Sequence, residues 1–195
     1  MRPAKPNEKF SDFDTKYFAL RKILFGSDIE PMAIEITRLR AWLSLIIEVN
    51  ELKDAEPLPN LDFNYVCANS LIPLRKNTQL NIFEDINQEN IINELREKYF
   101  SARSLKEKEL LKSEFNKIYF SKANEFDNEQ VKQLKTWNPF EFKPAEFFDA
   151  KKMFNQDSFD IIIGNPPYIG EKGNKKIFKV IKDNEFGKKY YHGKM

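Results

Sequence analysis

The chain has 195 residues, of which 41% are hydrophobic and 32% are charged, and its formal net charge is +2. This composition predicts one folded domain with a core and excludes a disordered chain, while so small a net charge gives no argument for nucleic-acid binding. A single cysteine, Cys67, excludes an internal disulfide, which fits a cytoplasmic protein. The single histidine, His192, argues against a histidine triad or a multi-histidine metal site, and no apolar run is long enough to span a membrane.

The first predicted element is a short strand over residues 22–29, KILFGSDI, which ends at Asp28. Pro31 follows at a position that suits the first turn of a helix. In the run MAIEITRLRAWLSLIIEV, five apolar residues recur at helical spacing on one face: Ile36, Leu39, Leu43, Ile46 and Ile47. The pattern predicts a strand, a turn and a helix, and the Pro-containing stretch at 54–60 ends this unit.

A second strand is predicted over residues 63–68, FNYVCA, just before Asn69. From about 82 to 137 the chain becomes rich in Lys, Glu, Asn and Leu, and two or three amphipathic helices are predicted there. Apolar residues recur at helical spacing in two groups: Ile91, Ile92, Leu95 and Tyr99, and then Leu111, Phe115, Ile118 and Tyr119. The charge run SLKEKELLKSE predicts a solvated helix face rather than a binding tract.

Residues 137–154, WNPFEFKPAEFFDAKKMF, are aromatic, and their two prolines argue against a continuous helix. The favoured interpretation is a loop that packs its rings on the core. The alternative is a platform on which bases stack.

Residues 159–163, FDIII, predict a third strand. Its lack of polar alternation predicts a central position that is covered on both faces. Strands that alternate with helices indicate an α/β fold with a parallel sheet.

The last 25 residues, 171–195, hold eight lysines and three acidic residues, a local net charge of +5. Both a solvated tail and a loop that meets phosphates are compatible with this charge.

The third predicted strand leads into Asn165, Pro166, Pro167 and Tyr168, where an open α/β sheet binds its ligands. The prolines stiffen the backbone and leave its carbonyls free to accept hydrogen bonds, and the asparagine adds another acceptor. A rigid pair of acceptors beside an aromatic ring suits a planar amino group, whose nitrogen it would make more nucleophilic. A base that is flipped out of a duplex could stack on Tyr168. This stacking would offset the cost of flipping by about 1–3 kcal/mol. A turn with a buried tyrosine is the alternative.

The segment FDIIIGNPPYIG resembles the catalytic motif of S-adenosylmethionine-dependent amino-group methyltransferases, especially the adenine-N6 DNA methyltransferases. The resemblance implies a partial Rossmann-like methyltransferase fold over residues 1–195, with a helical insertion at about 82–137. It also implies double-stranded DNA with a flipped adenine as the partner. The long helical segment looks like the large bacterial type IIG restriction–modification enzymes.

Two further segments resemble motifs of the same family in the same order. In LFGSDIEPMAIEITRLRAWLSL, the resemblance assigns Asp28 to the cofactor ribose and Ile29 to the cofactor adenine. In YVCANSLI, it assigns Asn69 to the cofactor adenine, where many relatives carry aspartate. An N-cap aspartate and a turn asparagine are the alternatives for Asp28 and Asn69.

The glycine-rich first motif of the family has no counterpart before Asp28. The expectation is therefore an internal segment of an adenine methyltransferase: a gene remnant, a frameshifted reading frame, or one piece of a split enzyme whose missing parts are its partners. Such a segment alone is expected to be marginally stable, to bind the cofactor weakly and not to methylate DNA.

Two rival functions fit part of the pattern. Methyltransferases of release-factor glutamine also use an Asn-Pro-Pro-Tyr segment, although the long insertion argues against them. A non-catalytic subunit that supports a partner with the first motif is the other alternative.

Overall fold

The computed structural model describes residues 11–49, 59–75, 86–121, 129–165 and 170–192. Within these ranges the chain forms two strands, β1 (Gly26–Asp28) and β2 (Tyr65–Cys67). The helices in these ranges are α1 (Asp12–Lys22), α2 (Pro31–Ile46), α3 (Ile86–Ser101), α4 (Leu105–Ser121), α5 (Glu129–Leu134), α6 (Ala150–Phe154), α7 (Lys175–Asp183) and α8 (Glu185–Tyr190). The two predicted strands are therefore present but shorter than predicted, since α1 takes up Lys22, residues 23–25 have no strand assignment, and β2 covers only Tyr65–Cys67.

The sheet is a parallel pair, in which β1 and β2 are joined through α2. Gly26 pairs with Tyr65, Ser27 with Val66 and Asp28 with Cys67. A parallel pair needs a crossover connection, and α2 provides it while contacting both strands. This β-α-β unit confirms the predicted parallel α/β arrangement in the part of the chain that the structure describes.

Successive residues of β2 point into two different apolar clusters. Tyr65 packs with Leu20 of α1 and Ile34 of α2 on one face of the sheet. Val66 faces the other cluster, which the insertion helices and the aromatic loop fill. Because successive side chains of a strand point to opposite faces, this alternation shows that both faces of β2 are covered.

The apolar face that the sequence predicts for α2 is not the face that α2 buries. Ile36, Leu39 and Leu43 are each close to half exposed, and Ile47 is 79% exposed. The buried side chains of α2 lie on a different face, with Ile34 and Leu45 among them. The predicted face is wrong as a core face, because α2 is apolar on more than one side and the strands cover only one of them.

The two or three amphipathic helices predicted between about 82 and 137 are present as α3, α4 and α5. Leu111, Phe115 and Tyr119 are the buried residues of α4, as their spacing predicts. The lysine and glutamate side chains of its first turns are mostly exposed, which confirms a solvated face. In α3, Ile91 is an exception to the predicted face, since it is 45% exposed.

The aromatic loop packs its rings on the core, as predicted. Trp137 and Phe147 are 1% and 0% exposed, and Trp137 meets Phe115 and Tyr119 edge to face at centroid distances of 6.0 Å and 5.2 Å. Phe142, at 70% exposure, is the exception. Rings that are buried in this way are not available for stacking on bases.

The predicted third strand is wrong for the described structure. Residues 159–163 have no strand assignment, and Ile161, Ile162 and Ile163 are 80%, 82% and 92% exposed. A strand forms only where another strand pairs with its backbone. Among the described residues the sheet contains β1 and β2 alone, and residues 159–163 pair with neither of them.

Two asparagines before β2 tie the sheet to the ends of helices. Asn60 donates from Nδ2 to the carbonyl oxygens of Tyr99 and Ala102, at 2.6 and 2.9 Å, where α3 ends. Asn64 donates to the carbonyl oxygen of Leu20, at 3.1 Å, near the end of α1. Both therefore supply donors at helix C-termini, where carbonyls lack intrahelical partners. The carbonyl oxygen of Tyr99 also accepts from the backbone nitrogen of Ala102 at 3.1 Å.

Candidate active site

The carboxyl ends of β1 and β2 lie side by side. The backbone nitrogen of Ala68 donates to the carbonyl oxygen of Asp28 at 2.9 Å, one residue before Asn69. The backbone nitrogen of Asn69 in turn donates to the carbonyl oxygen of Ala145 at 2.9 Å. The two side chains that the sequence assigns to the cofactor therefore project from neighbouring strand ends, at the edge where α/β sheets bind ligands.

Both side chains also hold a turn of their own backbone. Oδ1 of Asp28 accepts a hydrogen bond from the backbone nitrogen of Glu30 at 2.8 Å. Oδ1 of Asn69 accepts one from the backbone nitrogen of Leu71 at 3.2 Å. The turn alternative for Asn69 is thus observed, whereas the N-cap position of α2 is Glu30 rather than Asp28. One oxygen of each side chain fixes its orientation, and its second polar atom remains available to a ligand.

Apolar and titratable groups surround these two turns. Ile29 is 57% exposed, so its side chain offers an apolar surface beside Asp28. The thiol of Cys67 donates to the carbonyl oxygen of Ile29 at 3.5 Å. Burial, and then the carboxylates of Asp28 and Glu30, raise the pKa of the Cys67 thiol. The Arg38 guanidinium acts in the opposite direction and lowers this pKa.

The structure does not bring Asn165 into contact with Asp28 or Asn69. Asn165 is exposed, and the other predicted catalytic residues, Pro166, Pro167 and Tyr168, lie outside the described residues. Phe159, six residues earlier, packs against Phe25 with ring centroids 6.0 Å apart. Because Phe25 immediately precedes β1, the segment that leads to Asn165 begins beside the start of that strand.

One described cavity lies away from the strand ends. It has a volume of about 160 Å³, and Phe25, Asn64, Arg96 and Phe154 are among its lining residues. Phe25 and Asn64 precede β1 and β2, so the cavity is at the amino ends of the strands and does not support the predicted site.

In the described ranges, no group of three or more His, Cys, Asp or Glu residues is placed to hold a metal ion. No helix in these ranges has the length and apolar character to cross a membrane.

Sequence reasoning missed Asn184, which brings α7 and α8 to the same side of the molecule as the turn at Asn69. Its Nδ2 donates to the carbonyl oxygen of Leu71 at 3.3 Å. Its Oδ1 accepts from the backbone nitrogen of Gly187 at 2.9 Å and caps α8. An asparagine between two helical patterns is a recognisable capping signal, but the contact with Leu71 is a tertiary one that spacing alone does not reveal.

Comparison with known proteins finds similarity to restriction-modification methyltransferases. A protein of Methanocaldococcus jannaschii, provisionally described as a type II restriction enzyme and methyltransferase, is 40% identical over 68 residues. That match covers 33% of this chain and 6% of the relative, so the chain spans a small part of that protein's length. No solved structure matches the chain. The family model of the Eco57I restriction-modification methylase matches residues 22–195, and the chain belongs to that family.

Proposed function

We propose that the protein containing this chain is an S-adenosylmethionine-dependent DNA methyltransferase that modifies the N6 amino group of adenine in a restriction–modification system. The observation that carries the proposal is the placement of Asp28 and Asn69 at neighbouring carboxyl ends of a parallel β-α-β unit. Membership of a restriction-modification methylase family supports DNA as the substrate. The type IIG class is part of the same proposal and rests on the helical insertion.

The strand ends fit the proposed cofactor. Asp28 is exposed and oriented by the Glu30 backbone, so its carboxylate can accept hydrogen bonds from the ribose hydroxyls. The exposed side chain of Ile29 can cover one face of the adenine ring. Asn69 uses its carbonyl oxygen for the turn, which leaves its amino group as a donor to a ring nitrogen. When bound, S-adenosylmethionine supplies an electrophilic methyl group.

The catalytic part of the proposal rests on residues 165–168. Asn165 and the carbonyl of Pro166 would accept hydrogen bonds from the two N–H groups of the adenine amine. Acceptors that are held rigidly favour the charge that develops on this nitrogen, so they act on the transition state. Pro167 stiffens the backbone, and Tyr168 provides a ring for the flipped base. The exposure of Asn165 is compatible with a side chain that meets its partner only in the bound state.

The test is methylation by the enzyme reconstituted around this chain. Labelled S-adenosylmethionine and unmethylated duplex DNA are incubated with it, and the modified nucleoside is identified by mass spectrometry. N6-methyladenine is the expected product, and Asn165→Ala should lower the rate by about 10²–10³-fold, as removal of one transition-state hydrogen-bonding group does elsewhere. Asn90→Ala, on the exposed surface of α3, is the matched control and should leave the rate unchanged. A methylated cytosine, or methylation of a release-factor glutamine instead of DNA, would reject the proposal.

A supporting subunit is the second candidate. The exposed isoleucines at 161–163 favour it. They form an apolar segment that the described residues leave exposed, and a partner protein could bury it. In that case Asn165→Ala would leave both partner assembly and methylation by the assembled complex unchanged.

A further inference from the structure

The last part of the described chain, residues 170–192, forms a compact helical pair that we call the C-terminal hairpin. A Cβ atom added at Gly187 of α8 would lie 1.8 Å from the carbonyl oxygen of Ile181, so the backbones of α7 and α8 touch at this glycine. The Tyr191 hydroxyl donates to Glu171 at 3.0 Å, and Lys182 forms an ion pair with Glu171 at 2.6 Å. The hairpin is therefore held together by its own contacts.

Positive charge is concentrated in this hairpin. Residues 171–192 contain seven lysines and three acidic residues, a net charge of +4, although the whole chain has only +2. Lys175 and Lys179 are four residues apart and share a face of α7, and Lys176 lies next to them. All three are exposed. No ion pair involves them among the described residues, whereas Lys182 is neutralised by Glu171.

The lysine face differs from the other lysine-rich surface of the chain. In α4, Lys106, Lys108 and Lys117 are interspersed with glutamates along the helix. Such mixed charge is typical of a solvated face. The first two turns of α7, in contrast, contain no acidic residue. A surface of one sign attracts a polyanion, whereas a mixed surface does not.

The hairpin also lies close to the candidate site. Asn184, between α7 and α8, contacts the carbonyl oxygen of Leu71 in the turn that Asn69 begins. In the sequence, the hairpin begins two residues after Tyr168. A duplex that presents a base to residues 165–168 would therefore have its backbone near this helix.

We propose that the lysine face of α7, formed by Lys175, Lys176 and Lys179, binds the phosphate backbone of duplex DNA beside the candidate active site. The inference rests on the proposed function and names the surface that holds its substrate. Lysine–phosphate contacts displace condensed counterions, so the interaction weakens as salt increases. They carry no sequence information, so this surface positions the duplex and does not select the target site.

The test compares two triple variants of the full chain with the same change in net charge. In the first, Lys175, Lys176 and Lys179 become glutamine, and in the control, Lys106, Lys108 and Lys117 do. Binding to a fluorescein-labelled duplex is measured by anisotropy between about 50 and 200 mM KCl, where phosphate contacts dominate the salt dependence. Circular dichroism checks that both variants are folded.

The slope of log K against log salt should decrease in magnitude by about 2.7 in the α7 variant, since each phosphate contact contributes about 0.9. The α4 variant should keep the wild-type slope. Equal losses in the two variants would show a net-charge effect and overturn the inference, and so would an α7 variant with the wild-type slope. Tighter binding of wild type to phosphatidylserine vesicles than to duplex would also overturn it, in favour of a membrane surface. None of these results affects the methylation test, so the two proposals can fail separately.

Discussion

Residues 23–28 and 159–165 both run from apolar residues to a polar one, but their environments differ. The first segment, ILFGSD, ends at Asp28 and forms a strand only over Gly26–Asp28, whereas the second, FDIIIGN, ends at Asn165 and forms none. β1 pairs with β2 in register and contacts α2, whereas the three isoleucines before Asn165 are exposed. A run of β-branched residues favours a strand, but pairing with a neighbouring strand decides whether the strand forms.

The largest expected effect on stability is at a buried ring of the aromatic loop. Trp137→Ala should lower the free energy of unfolding by about 3–5 kcal/mol, because a fully buried ring beneath the sheet is removed and a cavity remains. The measurement is chemical denaturation followed by circular dichroism. Phe142→Ala, in the same loop but at an exposed ring, is the control and should change the free energy by less than about 0.5 kcal/mol. Similar losses in both variants would mean that the aromatic loop does not pack as described.

A matched pair of isoleucines tests the comparison itself. Ile34→Ala should lower the free energy of unfolding by about 2–5 kcal/mol, since Ile34 is 5% exposed against β2. Ile162→Ala, the same change at a side chain 82% exposed, should fall within about 0.5 kcal/mol of wild type. A large loss at Ile162 would show that 159–163 is buried in solution, and the difference between the two segments would disappear.

Much of the fold can be predicted from the local sequence pattern. The features that cannot be predicted in this way depend on tertiary contacts. The spacing of Leu111, Phe115 and Tyr119 predicts the buried face of α4, because helical periodicity and burial agree there. The face of α2 is mispredicted because α2 is apolar on two sides, and only packing selects between them. The position of Asp28 and Asn69 at neighbouring strand ends follows from the predicted strands, because parallel strand ends meet at one edge. The environment of Asn165 depends on a strand partner, which local pattern cannot supply.

A smaller effect is expected at an unpaired hydroxyl in the core. The hydroxyl of Tyr119 is buried without a hydrogen-bond partner among the described residues, and burial raises the pKa of Tyr119. Tyr119→Phe should therefore leave stability unchanged or raise it by about 1 kcal/mol, because a buried polar group without a partner destabilises the folded state. Thermal denaturation measures the change, and a loss above about 1.5 kcal/mol would show a hydrogen bond that the structure lacks.

The smallest effect tests the geometry at the end of β1. Because the carboxylate of Asp28 raises the pKa of the Cys67 thiol, Asp28→Asn should lower that pKa. It should then increase the thiolate fraction near pH 8. Alkylation of this single cysteine by iodoacetamide should become a few-fold faster, with Asp14→Asn in α1 as the control. An unchanged rate would place the Asp28 carboxylate away from Cys67.

The proposal that the two strand ends hold the cofactor can be tested by a nuclear magnetic resonance titration of the isotope-labelled chain with S-adenosylmethionine. Such a titration detects binding even when it is weak. We predict that amide shifts concentrate at residues 28–30 and 69–71, and that Asp28→Ala largely removes them. Shifts that avoid both turns, or that persist unchanged in Asp28→Ala, would contradict cofactor binding at the strand ends.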